Sequence, residues 1–263
     1  MRYVRLVAAL FRAAAQQQLA DRADFAFGLL QSILNLGAGI IGLAVLFGQV
    51  RTLRGWDFPA TLALLGTYLL LRALYGLAIG PSLDGLAGVR GDVYTGRFDF
   101  TLLRPVNVQF LSSAERWHPL ALLDAALGAA VLVVATGQLG RALDAARLAT
   151  FLVALMAGAA LLYALALACA TLVFWLPGLF FTWLFDIVFE LARFPAQLYP
   201  PWTRLVLTSI IPIAVITTVP AQALTGTLHV TSLAGAVALA GAALVAATML
   251  FRRGLRRYAS ASS

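Results

Sequence analysis

Long, nearly charge-free apolar runs recur along this chain. Phe25 to Val50 gives twenty-six consecutive residues without a charge, and further apolar regions follow at 58–80, 118–138, 148–185 and 205–251. A bilayer core needs about 20 apolar residues of helix to cross it. A soluble helix of that length would carry a polar stripe, which these runs lack. The pattern predicts an all-α, polytopic membrane protein in which residues 1–263 form a single transmembrane domain.

Two of the runs are too long for one crossing. The region 148–185 would measure about 57 Å as a continuous helix. Leu176-Pro177-Gly178 is a natural break, because Pro removes a helix hydrogen bond and Gly weakens the turn. The division predicts spans near 147–172 and 174–194. The region 205–251 carries Pro212 and Pro220 in its first half, which leaves one clear crossing at about 231–251. Arg2, Arg5, Arg12 and Arg22 crowd the N-terminus, and Arg252, Arg253, Arg256 and Arg257 crowd the C-terminus. By the positive-inside tendency both ends face the cytoplasm, which requires an even number of crossings. Six transmembrane helices satisfy this, with residues 195–228 as a re-entrant extracytoplasmic segment before the last span and 252–263 as a cytoplasmic tail. Irregular backbone at that depth is tolerated where protein or water covers it.

Polar stretches between the spans carry further information. Within residues 1–24, Arg2, Arg5 and Arg12 share one helical stripe, while Leu6, Val7, Leu10, Phe11 and Ala14 form another. This predicts an N-terminal amphipathic interface helix; the alternative is a plain extension of the first span. Residues 81–117 form the longest polar excursion, and loops beyond about 12–15 residues usually have a function. Leu83, Leu86, Val89 or Arg90, and Val93 recur at helical spacing, Gly96 suits a helix end, and Phe98, Phe100 and Leu102 alternate as in an extended segment. The stretch reads as a docking element for a soluble partner or as an ordinary connection.

Composition narrows the chemistry. The 263 residues are 62% hydrophobic and 11% charged, with a net charge of +8; soluble chains carry about 25% charged residues. All nineteen basic residues are Arg and sit beside apolar spans. Lipid headgroups and topology account for them, so the pI near 10.5 does not indicate nucleic acid. A phosphate-binding loop needs Gly-x-x-x-x-Gly-Lys-Ser/Thr, and the sequence has no Lys. The chain is therefore not expected to be an enzyme or to hydrolyse ATP alone. Cys169, His118 and His229 are scattered, with no metal-ligand spacing and no catalytic or cofactor set.

A few charges fall inside or at the edges of spans. Arg72 and Asp124 lie at matching depth on consecutive antiparallel spans, roughly 9–12 Å from their inner ends. An ion pair between them is one reading; Arg72 snorkelling to the headgroups is the other. Asp186, Glu190 and Arg193 share one helix face near the outer end of the fifth span. That face either borders an exit route or is a solvated helix end with a local Glu190–Arg193 contact. Trp183, Tyr199 and Trp202 suit the outer interface.

Two stretches carry a resemblance. Val89-Arg90, Gly96, Phe98-Asp99 and Leu103-Arg104-Pro105 resemble the "VR…G…D…LLRP" loop of bacterial six-span permeases of the type-2 ATP-binding-cassette exporter class. Phe194-Pro195, Leu198-Tyr199-Pro200, Leu207-Thr208, Ile211-Pro212 and Pro220-Ala221 resemble that family's "RYP…YP…LT…IPxAF…P" segment, with Phe194 in place of a common Tyr and Ala214-Val215 in place of Ala-Phe. The resemblance implies a permease of the cytoplasmic membrane that pairs with a second permease copy or a related one. It implies a cytosolic ATPase subunit holding ATP and Mg, gripped through Val89, Arg90, Gly96, Asp99, Arg104 and Pro105. An ATP-independent carrier or a non-transporting scaffold remains the alternative; a carrier would show internal repeats.

Overall fold

The computed structural model describes residues 2–52, 54–140, 144–178 and 181–258. Among them the chain is helical, with no strand. The helices are α1 (Arg2–Ala20), α2 (Arg22–Gln49), α3 (Phe58–Leu74), α4 (Gly80–Asp84), α5 (Phe98–Leu102), α6 (Val108–Ala114), α7 (Ala121–Gln138), α8 (Ala145–Thr171), α9 (Phe181–Glu190), α10 (Pro201–Leu205), α11 (Ile213–Thr225) and α12 (Val230–Arg257). A π turn, Tyr75–Ile79, joins α3 to α4 without a break.

Sequence chemistry sets several helix starts. Asp57 accepts from the Ala60 amide at 2.9 Å ahead of α3, and Pro59 stands in its first turn. Asp144 does the same for α8 through the Arg147 amide at 2.8 Å. Asn107 caps α6 through the Phe110 amide at 3.0 Å.

Contacts order the helices between two ends of a bundle. α2 leaves the end where Gly28 lies beside Leu120 and reaches the other where Phe47 meets Phe58. Along α3 the chain comes back, and α7 returns beside it with Gly66 against Leu132 and Gly128 against Leu69 and Leu70. α8 descends to an aromatic cluster of Phe174, Phe98, Phe251 and Tyr258, with ring centres 5.3–6.0 Å apart. α12 ends in the same cluster. Residues 84–118, 172–178 and 251–258 thus share one end, and Trp56, Asp57, Gln222 and Thr227 gather at the other.

Five helical stretches are long and apolar enough to cross a membrane: Phe25–Gln49, Phe58–Asp84, Ala121–Gln138, Ala145–Phe174 and Val230–Arg257. The chain is a multi-pass membrane protein. Large apolar side chains on α2, α8 and α12, among them Phe27, Met156 and Val237, face outward as a lipid-facing surface would. The expected break at Leu176-Pro177-Gly178 is present: α8 closes through a 3-10 turn at Leu172–Phe174, and Gly178 adopts a φ of +91°.

The span expected over 174–194 is shorter than the others. α9 and a 3-10 turn, Leu191–Arg193, carry the helix only to Phe194, which is extended (φ −119°, ψ 152°) because Pro195 follows it. Residues beyond it reach the Trp56 end, where the Arg54 guanidinium donates to the Gln197 carbonyl at 2.6 Å. The chain then descends through α10 and a π turn, Val206–Ile210. It turns at Pro212 beside the end of α9, with the Thr217 hydroxyl donating to the Ala192 carbonyl at 2.9 Å. α11 climbs back and stops at Gly226, whose φ of +73° permits a left-handed cap.

The N-terminal stripe forms a helix of its own. Asp21 interrupts the chain between α1 and α2, accepting from the Ala23 amide at 3.2 Å. α1 lies across the Phe98 end: Tyr3 meets Phe110, Phe11 meets Trp117, and the Gln18 side chain accepts from the Leu120 amide at 2.9 Å.

Candidate coupling surface and charge cluster

Residues 85–118 cap one end of the bundle, and their detailed form corrects two expectations. The helix expected around Leu83–Val93 stops at Asp84, and 85–97 is a run of turns. Gly88 and Gly96 hold φ values of +80° and +74°, which other residues rarely adopt. The segment 98–102, expected to be extended, is the helix α5. Its Phe98 and Thr101 are buried three residues apart while Phe100 and Leu102 are exposed; five residues of alternation are too few to separate the two periods.

Asp92 organises the turns. It accepts from Arg116 at 2.7 Å and from Arg97 at 3.2 Å, while its backbone bonds Gly85 at 2.9 Å and Phe98 at 3.0 Å. The Ser82 hydroxyl ties in the backbone of Arg116 at 2.9 and 3.1 Å. Sequence reasoning passed over Asp92; its place between Gly91 and Val93, in a loop with four Arg, was the available signal.

The resemblance-implied residues fall into two groups. Val89, Arg90, Arg104 and Pro105 are exposed, with Arg104 paired to Glu115 at 2.7 Å. Gly96 and Asp99 are structural. The Tyr258 hydroxyl donates to Asp99 at 3.0 Å and fastens the loop to the end of α12. Burial, and then this bond, push the Tyr258 phenol up to about 12. Because its folded value exceeds the free value, the contribution is intact below about pH 10. It is lost as pH rises through about 12. A difference ultraviolet titration of wild type against Tyr258→Phe should show one tyrosine ionising near 12, moving toward 10 in Asp99→Asn.

Around this frame Val89, Tyr94, Phe100, Leu102 and Leu103 stand exposed, Leu103 at 80%. Gly178, from the break after α8, packs beside Val89 and Tyr94. The loop is thus a rigidly tied platform with an apolar outer face.

A second group sits midway along the bundle. Arg72 pairs with Glu190 at 2.6 Å rather than with Asp124. The Tyr68 hydroxyl donates to Glu190 at 2.6 Å and accepts from Arg72 at 2.7 Å. Arg193 reaches the other Glu190 oxygen at 3.2 Å and donates to the Asn35 carbonyl at 2.6 Å. α9 stands closer to this part of α3 than helix depth alone predicts, because α9 runs back along α3 from the Gly178 break. Its register places Phe185 on Tyr75 and Phe189 on Tyr68. Asp124 and Asp186 line a cavity of about 380 Å³ beside Arg72. Trp202 is exposed and the Tyr199 hydroxyl donates to the Leu191 carbonyl at 2.8 Å; the Trp183 side chain and residues 259–263 of the tail lie outside the described residues.

A family model for ABC-2 family transporter proteins matches residues 33–262. The chain belongs to that family. The matched region of this ABC-2 transporter protein takes in the tied loop, the α9–α11 excursion and the charge cluster alike. No curated protein and no solved structure matched the chain.

Proposed function

We propose that this ABC-2 family protein is the permease subunit of an ATP-driven exporter in the bacterial cytoplasmic membrane. It forms half of the translocation pathway with a second permease copy or a related one. The reading takes six crossings, with α9 as the short fifth and 195–228 as the re-entrant segment. Both termini and the 85–118 cap then face the cytosol, and α1 lies along the inner interface. ATP and Mg belong to a cytosolic ATPase subunit that docks on the cap.

One observation carries this reading. The cap is held by buried aromatic packing and the Asp92 ion pairs, yet it presents Val89, Phe100, Leu102 and Leu103 to solvent. Several large apolar side chains exposed on one tied loop suit a protein-binding surface. The loop also suits force transfer, because the same frame is anchored to α8 and α12 through Phe174 and Tyr258. Closing of the ATPases would push on 85–105 and re-pack the helices behind it.

Affinity purification of the tagged chain from its native membranes, with co-purifying ATPase subunits identified by mass spectrometry, tests the proposal. Leu103→Asp and Arg90→Ala should each leave the permease folded in the membrane. Leu103→Asp should reduce ATPase recovery at least tenfold, as charge placed in an apolar contact does. An ATPase retained by both variants as fully as by wild type, or never recovered with wild type, would overturn the reading.

A further inference from the structure

The cavity beside Arg72 has a composition that the coupling role does not explain. It runs from Asn35 and Arg72 at mid-height to Asp84 and His118 at the cap end, between α2, α3, α7 and α9. Its charged lining is lopsided. Arg72 and the neighbouring Arg193 are both engaged by Glu190. Asp124 and Asp186 face the same space, and among the described residues neither has an ion pair within 4 Å. Carboxylates at membrane depth need a counter-charge or a proton.

A second observation points inward. Tyr75 lines this cavity and is 6% exposed, and its hydroxyl makes only a loose contact with Asp186, with no hydrogen bond within 3.5 Å among the described residues. A buried hydroxyl left in this state is uncommon. The backbone also makes room for an occupant. The π turn runs from Tyr75 to Ile79, and Gly76 within it lines the wall with only Ala121 near its Cβ position; π turns inside helices often mark functional sites. Gln31, Ser32 and Asn35 supply further polar atoms from α2.

We infer that this cavity receives the cationic head group of an amphipathic cargo, held between Asp124, Asp186 and the Tyr75 hydroxyl. The inference rests on the permease reading and names its substrate class: an apolar body carrying a positive charge. Asp84 adds negative potential at the cap-side mouth, and the engaged Arg72 closes the far end, so an anionic head would meet like charge at the mouth.

The test uses two probes of nearly equal shape and opposite charge, tetraphenylphosphonium and tetraphenylborate, with the full chain and its ATPase in lipid nanodiscs. Equilibrium binding should be saturable for the cation. The borate should neither bind saturably nor displace it. Asp124→Asn and Asp186→Asn should each weaken cation binding about tenfold or more, Tyr75→Phe a few-fold, and Gly76→Leu should abolish it by filling the wall. Asp57→Asn, at the opposite end, should leave it unchanged. Equal affinity for the borate, no saturable cation binding, or unchanged binding in both Asn variants would overturn the inference. Recovery of the ATPase with the same variants separates the two ideas: failed cation binding with the ATPase still bound sinks the cargo assignment and leaves the permease reading standing.

Discussion

Replacing Arg72 by Glu is expected to destabilise the protein by about 2 kcal/mol, and exchanging Arg72 with Glu190 is expected to recover at least half of that loss. The single reversal sets a carboxylate against Glu190 and leaves Arg193 as its remaining ion-pair partner among the described residues. Breaking a fully buried pair costs about 3–5 kcal/mol. Here the side chains are 46% and 45% exposed to the groove, so solvent screening lowers the figure. In the exchanged protein (Arg72→Glu with Glu190→Arg), the carboxylate now on α3 faces the guanidinium now on α9 across the same contact, and Arg193 keeps the Asn35 carbonyl. Recovery is incomplete because the introduced guanidinium then stands one turn from Arg193 and the Tyr68 hydroxyl must turn over. Exchange of Arg72 with Asp124 should recover nothing. Unfolding in mixed micelles, read by tryptophan fluorescence across the two single variants and the double, measures the coupling directly. Equal recovery in the Arg72–Asp124 exchange would contradict the observed pairing.

The sequence made the spans legible because membrane burial imposes a length and a polarity that one chain displays openly. Run lengths located the helices of the five long stretches, and Leu176-Pro177-Gly178 located the break after α8. The N-terminal stripe marked α1 as a helix apart from α2. What the sequence concealed was register between distant helices. Depth along α3 and α7 suggested Asp124 as the partner of Arg72. The partner turned out to be Glu190, more than a hundred residues away, because the Gly178 break folds α9 back along α3. That outcome depends on where Phe185 and Phe189 seat on Tyr75 and Tyr68. The cap shows the same limit at shorter range. Its residues were identifiable as a group, but left-handed Gly88 and Gly96 replaced a helix with turns, and the burial of Phe98 and Thr101 turned an apparent strand into α5. Asp92 had no periodic signal, since its role consists of contacts with Arg97 and Arg116 from either side of α5 and α6.

Gly158→Ala should cost about 1–3 kcal/mol for the addition of one methyl group, whereas Gly37→Ala should be neutral or slightly stabilising. Both glycines lie inside long apolar helices, so composition does not tell them apart. A Cβ on Gly158 would fall 2.6 Å from the Ile216 carbonyl oxygen. The obstacle is backbone rather than a side chain that can swing aside, so α11 must move away from α8. Small residues admit this close approach in membrane helices, where packing rather than water expulsion drives association. Gly37 has nothing within 4 Å of its added methyl, and Ala is the better helix former. Moving α11 also strains the bond from Thr217 to the Ala192 carbonyl, which joins the turn at Pro212 to the end of α9. Gly158→Ala should therefore loosen the α9–α11 excursion before the α3–α7 pair. Proteolysis at residues 194–212 should accelerate at temperatures where the α3–α7 contact, followed by hydrogen exchange of the amides around Gly66 and Leu132, still holds. Equal loss of both contacts in that variant would mean that the bundle unfolds as one unit.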